Sequence, residues 1–272
     1  MLKQYYSIAG ERILIKSRQP FPITMFKNFE CEASDDVMLT LEVDTDDSYM
    51  RCYGFSYFQC PNGWSHVLIG NQGESKILAS KDWSELKLMG DGKSQNSWME
   101  LLAAGFYSRL TSFGGVLMHA SVVEYKNKAV VFTAASGTGK TTQARLWNEY
   151  LNGRILNGDK VFFKEKDNLF ETWGSPWKGS SPYAINDYAP LGAVIVLSQG
   201  KDNIIRPLED HEIASMVLPH IFLPSWDTAC IDRVMEVVNN MFSQIHFYHL
   251  SCRPDEDAVL VTRNKLEQDN VF

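Results

Sequence analysis

The run over residues 129–151, AVVFTAASGTGKTTQARLWNEYL, constrains the fold more than any other stretch of the chain. Its opening residues are apolar and rich in valine, as a buried strand requires. Its closing residues put Ala144, Trp147 and Leu151 on one face of a helix. Between them, Ser136-Gly137-Thr138-Gly139 are small enough for the backbone to curl and turn its N–H groups inward. Strand, curl and helix in that order make a concave nest at a helix N-terminus, which is a site for an anion.

The motif reads A-x-x-x-x-G-K-T, a phosphate loop with Ala134 in place of its first glycine. That alanine costs something only if its position needs a positive φ. In such a loop Lys140 reaches the β and γ oxygens of a nucleoside triphosphate, and the Thr141 hydroxyl takes Mg²⁺. Ser136, Gly137, Thr138, Gly139 and Thr142 complete the cradle. A nucleoside triphosphate with Mg²⁺ is therefore the expected ligand.

The chain has 272 residues, 44% of them apolar, enough for one large or two small packed domains. Up to about Met89 it runs in short alternating stretches such as YYSIAGERILIK, VMLTLEVD, WSHVLIGN and SKILAS, with a turn expected at Pro61-Asn62-Gly63. MGDGKSQNS has the composition of a linker, which suggests a β-rich domain over residues 1–92 and a second domain over 93–272. A helix follows from Trp98, stopped by Gly114 and Gly115. The second part then alternates strands (GVLMHASVVEY, KAVVFTA, RILNGDKVFFKE, LFETWG, GAVIVLSQ, NIIRPL, IHFYHL) with helices, the last opened by Pro254. This order reads as an α/β core.

A net charge of −7 and no long basic cluster argue against a nucleic-acid partner. No run approaches the ~18 apolar residues of a membrane span, and the charged N-terminus has no apolar core, so a cytoplasmic protein is expected. Five scattered cysteines without a C-x-x-C pair do not read as a disulfide framework or a zinc site. The acidic run at residues 44–47 lacks the spacing of a calcium loop.

Asp159, in LNGDK, is open to two readings: a cleft carboxylate that binds metal or takes a proton, or one member of an Asn-Gly-Asp hairpin turn. His119, in an otherwise apolar strand, is by itself more typical of a satisfied core histidine. Lys178 reads first as a solvated loop lysine. Arg206 and Arg253 are candidate second cations for a γ-phosphate, with Arg253 better placed beside a helix start; a surface ion pair is an equal reading.

The order MHASVVEYKNKAVVFTAASGTGKTTQA followed by LNGD resembles the catalytic domain of the HPr kinase/phosphorylase family. There a histidine-bearing strand, a short hairpin, a phosphate loop and a catalytic aspartate succeed one another. SGTGKTT is also similar to the loop of ATP-dependent phosphoenolpyruvate carboxykinases. WGSPWKGSS, APLGAVIVLSQGKDN and LSCRPDEDAV resemble small HPr kinase-related proteins of peptide-modification gene clusters. The resemblance covers about residues 115–266.

It implies an α/β, mixed-sheet phosphate-loop core behind a small β-rich domain. It also implies ATP- and Mg²⁺-dependent transfer to a Ser or Thr hydroxyl of a protein or peptide, such as a ribosomal peptide precursor. Lys140 and Thr141 would then serve phosphates and metal, Asp159 would be base and metal ligand, and His119 would lie near the transferred phosphoryl group or orient Asp159. Two departures stand out. Lys160 follows Asp159 where the family usually has a second acid, and the family's later substrate-loop signature is missing, with GSPWKGSSPYAIN in its place. A small-molecule kinase and a non-catalytic nucleotide-binding module are the alternatives, of which Asp159 favours the enzyme. A homo-oligomer is left open.

Overall fold

The structure, a computed structural model, describes residues 1–21, 24–44, 63–70, 75–90 and 95–272. These form two compact units, Met1–Ser112 and Phe113–Phe272. The division falls after the helix α1 (Gln95–Leu110), not before it as the linker composition suggests.

In the first unit, β1 (Leu2–Ile8) and β2 (Glu11–Ser17) form a hairpin where the pattern YYSIAGERILIK reads as one run. The reversal comes at Ala9 and Gly10, which have φ of 52° and 75°, the pair of positive values that a tight hairpin turn needs. With β3 (Leu39–Asp44), β4 (His66–Ile69), β5 (Ser75–Ala79) and β6 (Glu85–Gly90) they make a six-stranded mixed sheet in the order β1-β2-β3-β6-β5-β4. The sequence pattern did not single out β6.

Helix α1 packs on β5 and β6 because its apolar residues Leu101, Leu102 and Phe106 are buried. Gly105 lets it come close: a Cβ there would lie 2.7 Å from Leu86 Cδ1. The turn expected at Pro61-Asn62-Gly63 and most of the acidic run lie outside the described residues, as do Cys52 and Cys60.

The second unit is built on β7 (Gly115–Tyr125), β8 (Lys128–Thr133), β9 (Arg154–Asn157), β10 (Lys160–Lys166), β11 (Leu169–Trp173), β12 (Tyr188–Gln199), β13 (Ile204–Pro207) and β14 (His246–Cys252). The sheet order is β11-β10-β7-β8-β12-β14-β13, with β9 also on β7 and β11 also on β12. Strand β12 runs parallel to both β8 and β14, while β7 is antiparallel to β8, β9 and β10, so the sheet is mixed. β7 and β8 are joined at Lys126 and Asn127, both at positive φ.

Helices α2 (Lys140–Leu151), α3 (Asp210–Val217), α4 (Thr228–Gln244) and α5 (Glu256–Gln268) complete the unit. Helix α2 packs on β7, β8 and β9, and α4 packs on β7. Trp147 of α2 is fully buried in the core, with Tyr125, Phe132 and Phe272 around its ring. The central strands read as near-continuous apolar runs because they are buried on both faces. On α4 the buried stripe is Cys230, Val234, Val237, Val238 and Met241. Helix α5 is capped by the Asp255 side chain, which accepts the N–H of Ala258.

Candidate functional site

Where β8 ends, the chain curls through residues 134–139 and enters α2, as the strand–curl–helix pattern expects. Gly137 and Gly139 have φ of 79° and 124°, and a Cβ at either would meet nothing within 4 Å. These glycines are therefore required by backbone conformation rather than by space. Ala134 is not at positive φ, and its methyl group belongs to the buried core. The alanine is accommodated without strain.

The curl forms one wall of a cleft of about 300 Å³, lined by His119, Ser136, Gly137, Gly139, Lys140, Thr141, Thr142, Arg145, Gly158, Asp159, Lys178, Ser180 and Ser181. Sequence and fold thus bring His119, Asp159 and most of the 136–142 run together. Thr138 does not line the cleft, and Arg253 does not either. The Arg253 guanidinium is held by the Asp255 carboxylate at 2.7 Å and donates to the Lys201 carbonyl at 2.5 Å. Arg206 is likewise engaged by Glu212 at 2.6 Å. For both arginines the ion-pair reading prevails.

Two cations join instead. Lys178, read first as a solvated lysine, lines the cleft and is half-buried. Arg145 was not singled out, although its place four residues after Thr141 puts it on the same helix face, a signal available from spacing alone.

The Asn-Gly-Asp segment is not a hairpin turn. Strands β9 and β10 both run antiparallel to β7, with pairings such as Glu124↔Arg154 and His119↔Lys160, so the chain keeps its direction through Gly158 and Asp159. The Ala120 N–H donates to the Asp159 carbonyl at 2.9 Å, which carries the ladder across the irregularity. The kink turns the Asp159 side chain into the cleft.

His119 Nδ1 lies 3.2 Å from Asp159 Oδ1 and 3.2 Å from the Asp159 main-chain oxygen. Both are acceptors, so Nδ1 carries the proton. That hydrogen bond holds the Asp159 carboxyl below the usual carboxylate range against the opposing effect of burial, helped by the charges of His119, Lys160 and Lys140. Burial pushes the Lys140 amine down, and the Asp159 charge partly offsets it. Lys140 Nζ donates to the carbonyls of Ala134 and Ala135 at 3.1 and 3.2 Å. The Thr141 hydroxyl donates to the Gly158 carbonyl at 3.0 Å, which ties the start of α2 to the kink.

Gly179 packs against the carboxylate, and its φ is 55°. A Cβ there would fall 2.8 Å from Asp159 Cγ and Oδ2. Gly179→Ala is expected to displace the carboxylate from His119 and to lower stability by about 1–2 kcal/mol from backbone strain. Thermal denaturation would measure the second effect, and the His119 ring resonances in an NMR spectrum the first.

Among the described residues, no group of three or more His, Cys, Asp and Glu side chains could hold a metal, and no helix is long and apolar enough to cross a membrane. No protein-family model matches the chain, and no curated protein matches it. Among solved structures, that of the Hpr(Ser) kinase/phosphatase from Coxiella burnetii is similar to this chain at 10% identity and a TM-score of 0.35, over 56% of this chain and 98% of that one. So distant a likeness carries no argument about the site. Its chemistry is read from its own geometry.

Proposed function

We propose that the cleft binds ATP with Mg²⁺ and transfers the γ-phosphoryl group to a Ser or Thr hydroxyl of a protein or peptide. One observation carries this reading: an ionised carboxylate, Asp159, shares a cleft with a buried lysine and a glycine curl at a helix N-terminus. The curl supplies N–H groups to the phosphates, and Lys140 turns from the Ala134 and Ala135 carbonyls to the β and γ oxygens. Arg145 and Lys178 add positive charge at the rim.

The donor set fits magnesium. The Thr141 proton is committed to the Gly158 carbonyl, so its oxygen is left as an acceptor, and Asp159 offers ionised oxygens; hard oxygen donors completed by substrate phosphates suit this ion. Thr141 and Asp159 would hold Mg²⁺, which would neutralise charge on the phosphates when bound.

Asp159 takes the proton of the acceptor hydroxyl as its oxygen bonds to the γ-phosphorus. The bond from that phosphorus to the bridging oxygen breaks, and the electron pair leaves with ADP. His119, with its Nδ1 proton on Asp159, fixes the carboxylate for this step. The exposed Gly179 and Ser180 bound the acceptor side, an open rim that admits a hydroxyl carried on a chain. A kinase of this kind works in the cytoplasm, where its ATP is.

The test is incubation with γ-labelled ATP, Mg²⁺ and a Ser/Thr peptide library. Label on Ser or Thr supports the reading; label released only as inorganic phosphate, or not at all, contradicts it.

A further inference from the structure

The Asp159 carboxylate lies on a kink in a strand, and a kink needs something to hold it. Asn157, fully buried two residues earlier, is so placed. Its Oδ1 accepts the N–H groups of Asp159 at 2.8 Å and Lys160 at 3.1 Å. Its Nδ2 donates to the carbonyl of Ser175 at 2.8 Å and lies 3.3 Å from the Ser175 hydroxyl. That hydroxyl, itself buried, donates to the Lys160 carbonyl at 2.6 Å. One side chain thus binds the two amides of the kink and, through Ser175, fastens the kink to the segment that carries Lys178, Gly179 and Ser181.

The surroundings leave little room for another arrangement. A Cβ on Gly158 would collide with the Ser181 hydroxyl and lie 2.6 Å from Ser181 Cβ, so the cleft loop rests directly on the kink. The Ile185 N–H donates to the Leu156 carbonyl at 3.0 Å, which closes the other end of the same segment onto β9. Among the described residues, the Asn157 side chain bonds only the kink amides and Ser175, and it does not line the cleft. Its bonds all go to the support of Asp159 and the loop opposite.

From this geometry we infer that Asn157 is a positioning residue for phosphoryl transfer, which sets the Asp159 carboxylate and the Lys178–Ser181 rim in register through Ser175. The inference rests on the kinase reading above. An apolar side chain at 157 would take away the acceptor of the two part-buried kink N–H groups, and the kink would relax toward a regular ladder. The carboxylate would then shift relative to the phosphate, while the curl and Lys140 would stay as they are. Displacements of about 1 Å at a reacting group cost as much as 10²-fold in rate.

The experiment uses the full chain, γ-labelled Mg²⁺–ATP and the same Ser/Thr peptide library as acceptor, with label on Ser or Thr as the signal. Asn157→Ala is expected to lower kcat by about 10–10²-fold with KM for ATP unchanged. Asn157→Ser, whose hydroxyl can bond the amide two residues on, is expected to recover part of the loss. A readout without nucleotide accompanies these. The amides of Asp159 and Lys160 exchange slowly with deuterium in the wild type and fast in Asn157→Ala, at temperatures where both proteins are folded.

Wild-type kcat in a folded Asn157→Ala protein would overturn the inference. So would a loss that appears in KM, or a loss with no change in exchange at the two amides. The kinase reading fails by a different sign, absence of label on Ser or Thr with the wild type, and the exchange comparison is unaffected by that outcome.

Discussion

Asp159→Asn is expected to lower phosphoryl transfer by about 10²–10⁴-fold, the range for removal of a general base. The amide is close to the carboxylate in size, but it cannot take a proton from a hydroxyl, and it brings no charge to a metal. His119 would still find an acceptor in Asn Oδ1, so the loss is chemical rather than a collapse of the site. Turnover should therefore fall far more than affinity for ATP.

The same pair sets the pH dependence. Asp159 is held below the usual carboxylate range by His119, so its basic form persists through neutral pH and is lost only as pH falls through that depressed value. The acid limb of the turnover profile should lie below the range of an ordinary carboxylate, and His119→Gln should move it upward. Turnover measured from pH 8 downward checks both, and wild-type transfer by Asp159→Asn would remove the carboxylate from the mechanism.

Lys140→Ala is the second large effect. Lys140 is 6% exposed, and its ammonium donates to the Ala134 and Ala135 carbonyls. A buried ammonium is costly to maintain, and an arriving anion repays it. Its removal should cut turnover by about 10²–10³-fold, the cost of one such donor at a developing charge, and should weaken nucleotide binding as well. Stability should change little, because the variant loses an expensive buried charge together with its two hydrogen bonds. Equilibrium binding and thermal denaturation separate the two effects.

Much of this architecture was legible from local pattern. The strand, the glycine curl and α2 follow from residue types within 23 positions, residues 129–151, and the β7–β8 hairpin from apolar runs on either side of Lys126-Asn127. The setting of Asp159 was not legible. Whether LNGDK turns back or runs on depends on β7, which pairs with both β9 and β10 from thirty or more residues away in sequence, and no local spacing encodes that. Lys178 reaches the cleft because its segment is pinned by Asn157 and Ser175, again a long-range arrangement. Arg253 misled for the opposite reason. Its place before a helix looked suited to phosphate, but the acids that favour that helix start, Asp255 foremost, take up its charge. At the first unit, the Ala9-Gly10 reversal was hidden because Ala is not a usual turn residue at positive φ.

The central claim is that the 134–142 curl and Lys140 hold the phosphates of ATP. Titration of the protein with Mg²⁺–ATP by calorimetry, wild type against Lys140→Ala, tests it most directly. The account predicts saturable binding by the wild type and affinity reduced at least tenfold, about 1.4 kcal/mol, in the variant. Equal affinity in the two proteins, or no binding by the wild type, would contradict it.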